Sequence, residues 1–198
     1  MNDSNDPALS PQTQALRDAT IEIEQYVAKA GWDAPIRIFA LVNVQKALAA
    51  NPELAKELSA DENLAATHLA TAHTLFSVEQ EGLPAADSIT ELLGQIYWPA
   101  DVDGVAISVE RVILPPSAEV ELPTDEQAAM KILQAHPQRQ DVRMVAALMR
   151  DGATWGALRM RDHDRDELVL SGAELLSGLC AALEVTFTQL PEAENPEK

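Results

Sequence analysis

The stretch VRMVAALMRDGATWGALRMR, residues 142–161, decides the fold. Two β-rich runs flank Asp151-Gly152, a pair suited to a type I′ hairpin turn, where both central residues take positive φ. With those two residues as the turn, Arg150 opposes Ala153, Leu148 opposes Trp155 and Met144 opposes Arg159. Side chains alternate across a strand, and both faces of this hairpin carry apolar residues. Such a hairpin has to be covered on both sides for part of its length. It also commits the sheet to antiparallel pairing.

Working outward, Ser171-Gly172-Ala173-Glu174 has the form of a capping box. Leu175, Leu176, Leu179, Cys180, Leu183 and Phe187 then fall on one helical stripe, completing a hairpin–helix unit. On the other side, Thr124-Asp125-Glu126-Gln127 is a second box, opening a helix closed by His136-Pro137. Val105, Ile107 and Val109 alternate with smaller or polar residues as far as Leu114, a strand ended by Pro115-Pro116. Ser88-Ile89-Thr90-Glu91 starts a helix that should run to about Tyr97 and stop before Pro99. Residues 66–78 are Thr-rich with alternating small apolar residues and read as a strand, and Asn51-Pro52-Glu53 opens a short helix. Residues 36–42 form a short apolar run between breakers, a buried strand in preference to a helix reaching Ala50. At the N-terminus Ser10-Pro11 caps a helix whose Leu16, Ala19, Ile23, Tyr26, Val27 and Ala30 recur at helical spacing until Gly31 and Pro35. The expected fold is α+β, with a mixed or antiparallel sheet of about five strands and helices packed on it. Residues 1–10 and 191–198 read as flexible tails around a single domain over 11–190.

Length and composition fit that picture. A chain of 198 residues with 46% apolar content can bury roughly 70% of its unfolded surface. No 18-residue uncharged apolar run is present, and the polar N-terminus lacks a signal pattern, so a cytoplasmic protein with no membrane partner is expected. The formal charge is −18, which disfavours nucleic acid and anionic membranes. It is unevenly spread. Residues 63–126 hold eleven acids and a single base, Arg111, whereas six of nine arginines lie between Arg139 and Arg165. The middle third is a solvated acidic face or a docking surface for a basic partner.

Recognisable chemistry is sparse. Asp162, Asp164 and Asp166 alternate like the opening of a calcium loop, but Glu167 stands at the glycine position and Ala173 at the twelfth, and Arg165 intervenes. They are weak metal candidates, and no metal is expected. His68 and His73 are five apart, which suits neither a helical zinc pair nor one strand face. Neither a phosphate loop nor a nucleophile elbow occurs, so no cofactor is expected. Cys180, the single cysteine, reads as a small buried hydrophobe among leucines. Trp98, held extended before Pro99, is a core anchor or an interface residue. Arg159 and Arg161 share the hairpin face with Trp155 and are candidates for gripping an anionic ligand, or for pairing with the protein's own acids.

The strings QIYWP (95–99), VAISVERVILPPSAEVE (105–121) and DVRMVAALMRDGATWGALRMR (141–161) resemble a small, uncharacterised actinobacterial protein family of unknown function. The likeness is clearest over residues 79–185. It implies a soluble intracellular bacterial protein and brings no activity, cofactor or site residue. Function is therefore expected to be non-enzymatic, that of a binding or adaptor protein with an acidic surface and a protein partner. The alternative is a binder of a small anionic molecule, or an enzyme lacking a recognisable motif, with Arg159, Arg161 and Trp155 at its site. A monomer is compatible with either reading; so is a homodimer built on the Leu175–Phe187 stripe.

Overall fold

The computed structural model describes residues 9–50, 72–114 and 123–188. Its first element is helix α1, Pro11–Ala28, capped by Ser10, whose Oγ accepts from the Thr13 N–H at 3.1 Å. The buried stripe of α1 is Leu16, Ala19, Thr20, Ile23, Glu24 and Val27. Tyr26, expected on that stripe, is exposed: its hydroxyl donates to Glu79 and the Arg37 guanidinium lies 4.8 Å from its ring centroid. Ala30 is exposed too, beyond the end of the helix.

Strand β1 (Arg37–Asn43) passes directly into helix α2 (Val44–Ala50), so the short apolar run is a strand and the helical option begins only after it. Strand β2 is Leu75–Glu79, the described end of the segment expected as a strand from residue 66. Helix α3 (Ile89–Gly94) starts at its box as expected, with Ser88 Oγ accepting from the Glu91 N–H and Glu91 from the Asp87 N–H. It stops at Gly94, short of Tyr97. Strand β3 is Gly104–Ile113. Helix α4 (Glu126–Ala135) is capped by Asp125 rather than Thr124, its Oδ1 accepting from the Ala128 N–H at 2.8 Å. Strands β4 (Gln140–Met149), β5 (Thr154–Met160) and β6 (Leu170–Gly172) follow, then helix α5 (Ser177–Leu183) and a 3-10 turn, Glu184–Phe187. The short helix expected at Asn51, the Pro115-Pro116 stop, His68 and nearly all of both terminal tails lie outside the described residues.

All pairings are antiparallel, in one six-stranded sheet of order β2-β1-β3-β4-β5-β6. The hairpin itself differs from expectation by one residue. Met149 N–H donates to the Ala153 carbonyl at 2.8 Å, and Gly152, at φ 90°, donates to the Met149 carbonyl at 3.0 Å. The loop is thus three residues, Arg150 to Gly152, with glycine in the left-handed position that such loops require. Leu148 opposes Thr154, Ala147 opposes Trp155 and Arg143 opposes Arg159. The cause lies in Arg150. Its backbone N–H donates to the Asp103 carbonyl, and its guanidinium donates to the carbonyls of Trp98, Pro99 and Val102. A residue tied that way cannot also pair with Ala153.

The C-terminal helix also starts later than its capping box suggested. Ser171 lies in β6, and Thr154 Oγ1 donates to the Ala173 carbonyl at 2.7 Å. Gly156 makes room for this: a Cβ there would lie 3.0 Å from Leu176 Cγ. Residues 173–176 therefore form a turn, with Leu176 over Gly156, before the helix begins.

Alternation along the strands feeds two cores. On one face α1 covers Phe39, Leu41, Ala106, Val145, Ala147, Trp155 and Ala157. On the other, α3 and α5 supply Leu92, Leu93, Cys180 and Leu183 against Ile38, Ala40, Val105, Ile107, Ala146 and Leu148. Helices cover both faces, as the two-sided hairpin implied. Among the described residues no helix is long and apolar enough to cross a membrane.

Candidate functional site

At one end of the α1 face the apolar core gives way to charge. Arg143 and Arg159 sit opposite each other on β4 and β5 and are only 1% and 2% exposed. A buried guanidinium is tolerated when its donors are matched. Arg159 Nε and Nη2 donate to the two oxygens of Glu24 at 2.6 and 2.7 Å, and Glu24 on α1 is fully buried. Its remaining contacts reach Asp164 at 3.0 Å and Asp166 at 2.6 Å. The Glu24 hydrogen bonds, foremost, hold the Arg159 guanidinium in its charged form well above the ordinary range. Arg143 is matched only in part: it donates to Glu110 at 2.9 Å and to the Gly31 carbonyl and lies 4.3 Å from the Trp32 ring centroid, while its Nη1 is buried without a hydrogen-bond partner among the described residues.

The loop after α1 closes the network. Trp32 Nε1 donates to Asp164 at 2.8 Å, a bond that, with help from Arg159, keeps the Asp164 carboxyl below its usual range. Asp33 donates its N–H to Glu110 at 2.7 Å and takes both Arg161 nitrogens on its carboxylate, at 2.9 and 2.8 Å. That fork lowers the Asp33 carboxyl as well. Asp33 has φ 66°, unusual for a residue other than glycine. Beside this loop lies a cavity of about 340 Å³, walled by Trp32, Asp33, Arg111, Arg139, Asp141 and Arg161 among others.

A family model described as PPA1309-like protein matches residues 16–188. The chain belongs to the PPA1309-like family. The matched span contains the whole ion network, from Glu24 to Asp166, as well as the cavity beside it. No curated protein and no solved structure matches the chain.

The residues singled out from the sequence fall in different places on this PPA1309-like fold. Trp155 and Arg159 share one face of β5, and Arg161 follows that strand in the 3-10 turn Arg161–His163. However, Trp155 is buried under α1, and Arg159 is enclosed by Glu24, Asp164 and Asp166. Of the three, Arg161 alone borders the cavity. Trp98 belongs to the opposite core, its backbone N–H donating to the Thr186 carbonyl and its own carbonyl accepting from Arg150. Asp164 and Asp166 turn towards Arg159 while Asp162 is exposed, and among the described residues no group of three or more His, Cys, Asp or Glu converges as a metal site would need. Cys180 is buried, and that burial pushes its thiol up.

Sequence reasoning missed Glu24, Trp32, Asp33, Glu110 and Arg143. One signal was available: Glu24 follows Ile23 and falls on the stripe that Leu16, Thr20 and Val27 define. An acid there needs a buried cation.

Five of the eleven acids of the middle third are engaged within the molecule, whereas Glu81, Asp87 and Asp101 are exposed. Glu79 pairs with Arg37 at 2.5 Å, and Asp103 accepts from Asn43 N–H and from Lys46. Glu110 serves Arg143 and Asp33, while Glu91 and Asp125 complete helix caps. A second exposed acidic segment lies around edge strand β6. Leu168, Leu170 and Leu175 are 39%, 49% and 40% exposed there. Val169 packs into the α1 core and Leu170, opening β6, turns to the other side, the side on which Leu175 meets Gly172, while Leu168 ends the preceding 3-10 turn. Residues 161–175 carry five acids against Arg161 and Arg165.

Proposed function

We propose that this PPA1309-like protein is a non-enzymatic binding module that takes a basic, apolar-bearing polypeptide segment along the β6 edge. The observation that carries the reading is Leu170 exposed on an edge strand, with Leu168 and Leu175 exposed on either side of it, set within an acid-rich segment. An edge strand offers unpaired backbone groups to an incoming strand, with side-chain pockets adding selectivity. A second copy of the same edge would bring like charges together, which argues for a basic partner over a homodimer through β6. The helical stripe that could have served self-association is turned inward, with Leu176, Leu179, Cys180, Leu183 and Phe187 in the core and Leu175 left out. The cytoplasm of an actinobacterium, expected from the sequence, is the setting this reading assumes.

Fluorescence anisotropy with a labelled peptide of alternating lysine and valine tests it, against a glutamate–valine control. The basic peptide should bind, and binding should weaken steeply between low and high salt. Leu170→Asp with Leu175→Asp should abolish it while leaving the melting temperature close to the parent. Equal binding of both peptides, or no effect of the double substitution, would discard the reading.

A further inference from the structure

The cavity beside Trp32 carries a second inference, independent of the β6 edge. We infer that it is a seat for a small organic carboxylate, with Arg161 as the bidentate fork and Asp33 as a built-in occupant that the ligand replaces.

The first support is the concentration of cation. Three of the nine arginines of a chain with net charge −18 line one cavity of about 340 Å³. Two of the three donate to backbone carbonyls and are not forked to a carboxylate. Arg111 donates to the carbonyl of its neighbour Glu110, and Arg139 reaches the Gln134 carbonyl and stands 3.9 Å from Asp141. Glu110, the other acid on the wall, is already engaged by the buried Arg143. With Asp33 withdrawn, the cationic side chains outnumber the remaining carboxylate, Asp141.

The second support is the geometry at Asp33. Its carboxylate is mostly exposed, yet it meets Arg161 through two parallel hydrogen bonds of 2.9 and 2.8 Å. A carboxylate therefore fits the fork in place. The loop that presents it is pinned, with Asp33 at φ 66°, a left-handed conformation aspartate tolerates, and with its N–H bonded to Glu110. A free carboxylate would take the same two bonds without that constraint. Arg139 would then be within the same cavity for a second acidic group, which favours a dicarboxylate.

The cavity wall also supplies a reporter. Trp98 and Trp155 are buried in the two cores, whereas Trp32 lines the cavity with the Arg161 guanidinium 5.4 Å from its ring centroid. Displacing Asp33 should perturb Trp32 fluorescence.

Titration of the full chain with succinate, read by calorimetry and tryptophan emission, tests the assignment. Asp33→Asn removes the competing charge and retains a residue tolerant of positive φ, so succinate should bind about tenfold tighter than to the parent. Arg161→Lys should weaken binding and Arg161→Ala abolish it, each with an unchanged far-UV spectrum as proof of folding. Asp33→Gly, free of the backbone constraint, serves as a second gain variant. Parent-level affinity in both Asp33 variants, or retained binding in Arg161→Ala, would overturn the inference. So would tighter binding of inorganic phosphate than of succinate, or no heat and no emission change with succinate in any variant.

Discussion

The two faces of the sheet bury their side chains by different physics. The α5 face is filled by hydrocarbon, indole and one thiol, with Leu92, Leu93, Trp98, Cys180 and Leu183 closing on the strands. The α1 face begins the same way at Leu16 and Phe39 and ends in guanidinium and carboxylate, with Glu24 and Arg159 as dry as any leucine. A hydrocarbon core degrades gradually, one cavity at a time. An ion network fails abruptly when one member is lost, because its partner stays buried and unmatched.

Glu24→Ala tests that contrast at its strongest. It strands the Arg159 guanidinium under α1 and should cost about 3–5 kcal/mol in urea unfolding. Asp164 and Asp166 remain as partners, and a loss well under that range would show that they suffice alone. The compensating double substitution, Glu24→Leu with Arg159→Met, should recover most of the loss, since a well-packed apolar pair of similar volume is often as stable as the ion pair. On the other face, Leu183→Ala removes a fully buried side chain of α5 and should cost about 2–4 kcal/mol. No second substitution of charge should recover it.

How much of this contrast could be read in advance differed between the faces. The α5 face was legible because its stripe is purely apolar and periodic; only the helix start was misplaced, since a capping box cannot reveal that Gly156 leaves room for Leu176. The hairpin was legible as a hairpin, but its loop length was set by Arg150 bonding to carbonyls near Trp98, about fifty residues away in sequence. The ion network was the least legible part. Its members come from α1, the loop at Trp32, β3, β4, β5 and the turn at Asp164, and although Asp164 and Asp166 lie close to Arg159 in sequence, Glu24 and Glu110 lie far from the arginines they meet. Arg161 and Arg159 looked equivalent from spacing alone, yet β5 ends at Met160, and Arg161, in the 3-10 turn beyond it, stands at a cavity wall while Arg159 is enclosed.

pH separates the faces in opposite directions. Asp164 and Glu79 have carboxyls lowered in the fold, Asp164 chiefly by the Trp32 hydrogen bond and Glu79 chiefly by the Arg37 bonds. The stability they contribute is present above the unfolded carboxyl range near 4, and is lost as pH falls below it toward their folded values. Both belong to the α1 side of the molecule, so Trp32→Phe should flatten the acid limb of a stability–pH curve. Cys180 behaves the other way. Burial raises its thiol, so above about 8.5 the unfolded chain releases a proton that the folded chain retains, and stability falls as pH rises. Cys180→Ala should flatten the alkaline limb and leave the acid limb alone; an unchanged alkaline limb would place that loss elsewhere.

The smallest effect is expected where the chemistry looks most similar. Asp33–Arg161 is a bidentate carboxylate–guanidinium pair like Glu24–Arg159, with hydrogen bonds only slightly longer. It differs in setting: both partners face water, where the mutual attraction is screened and desolvation is slight. Asp33→Asn keeps a residue suited to positive φ and to the N–H bond with Glu110. Its melting temperature should be indistinguishable from the parent, in contrast to the collapse expected for Glu24→Ala. A large drop at Asp33 would mean that the loop at Trp32 is held chiefly through Arg161 instead of through Arg143 and Asp164. Burial, and not the kind of bond, then ceases to be the variable that separates the two arginines.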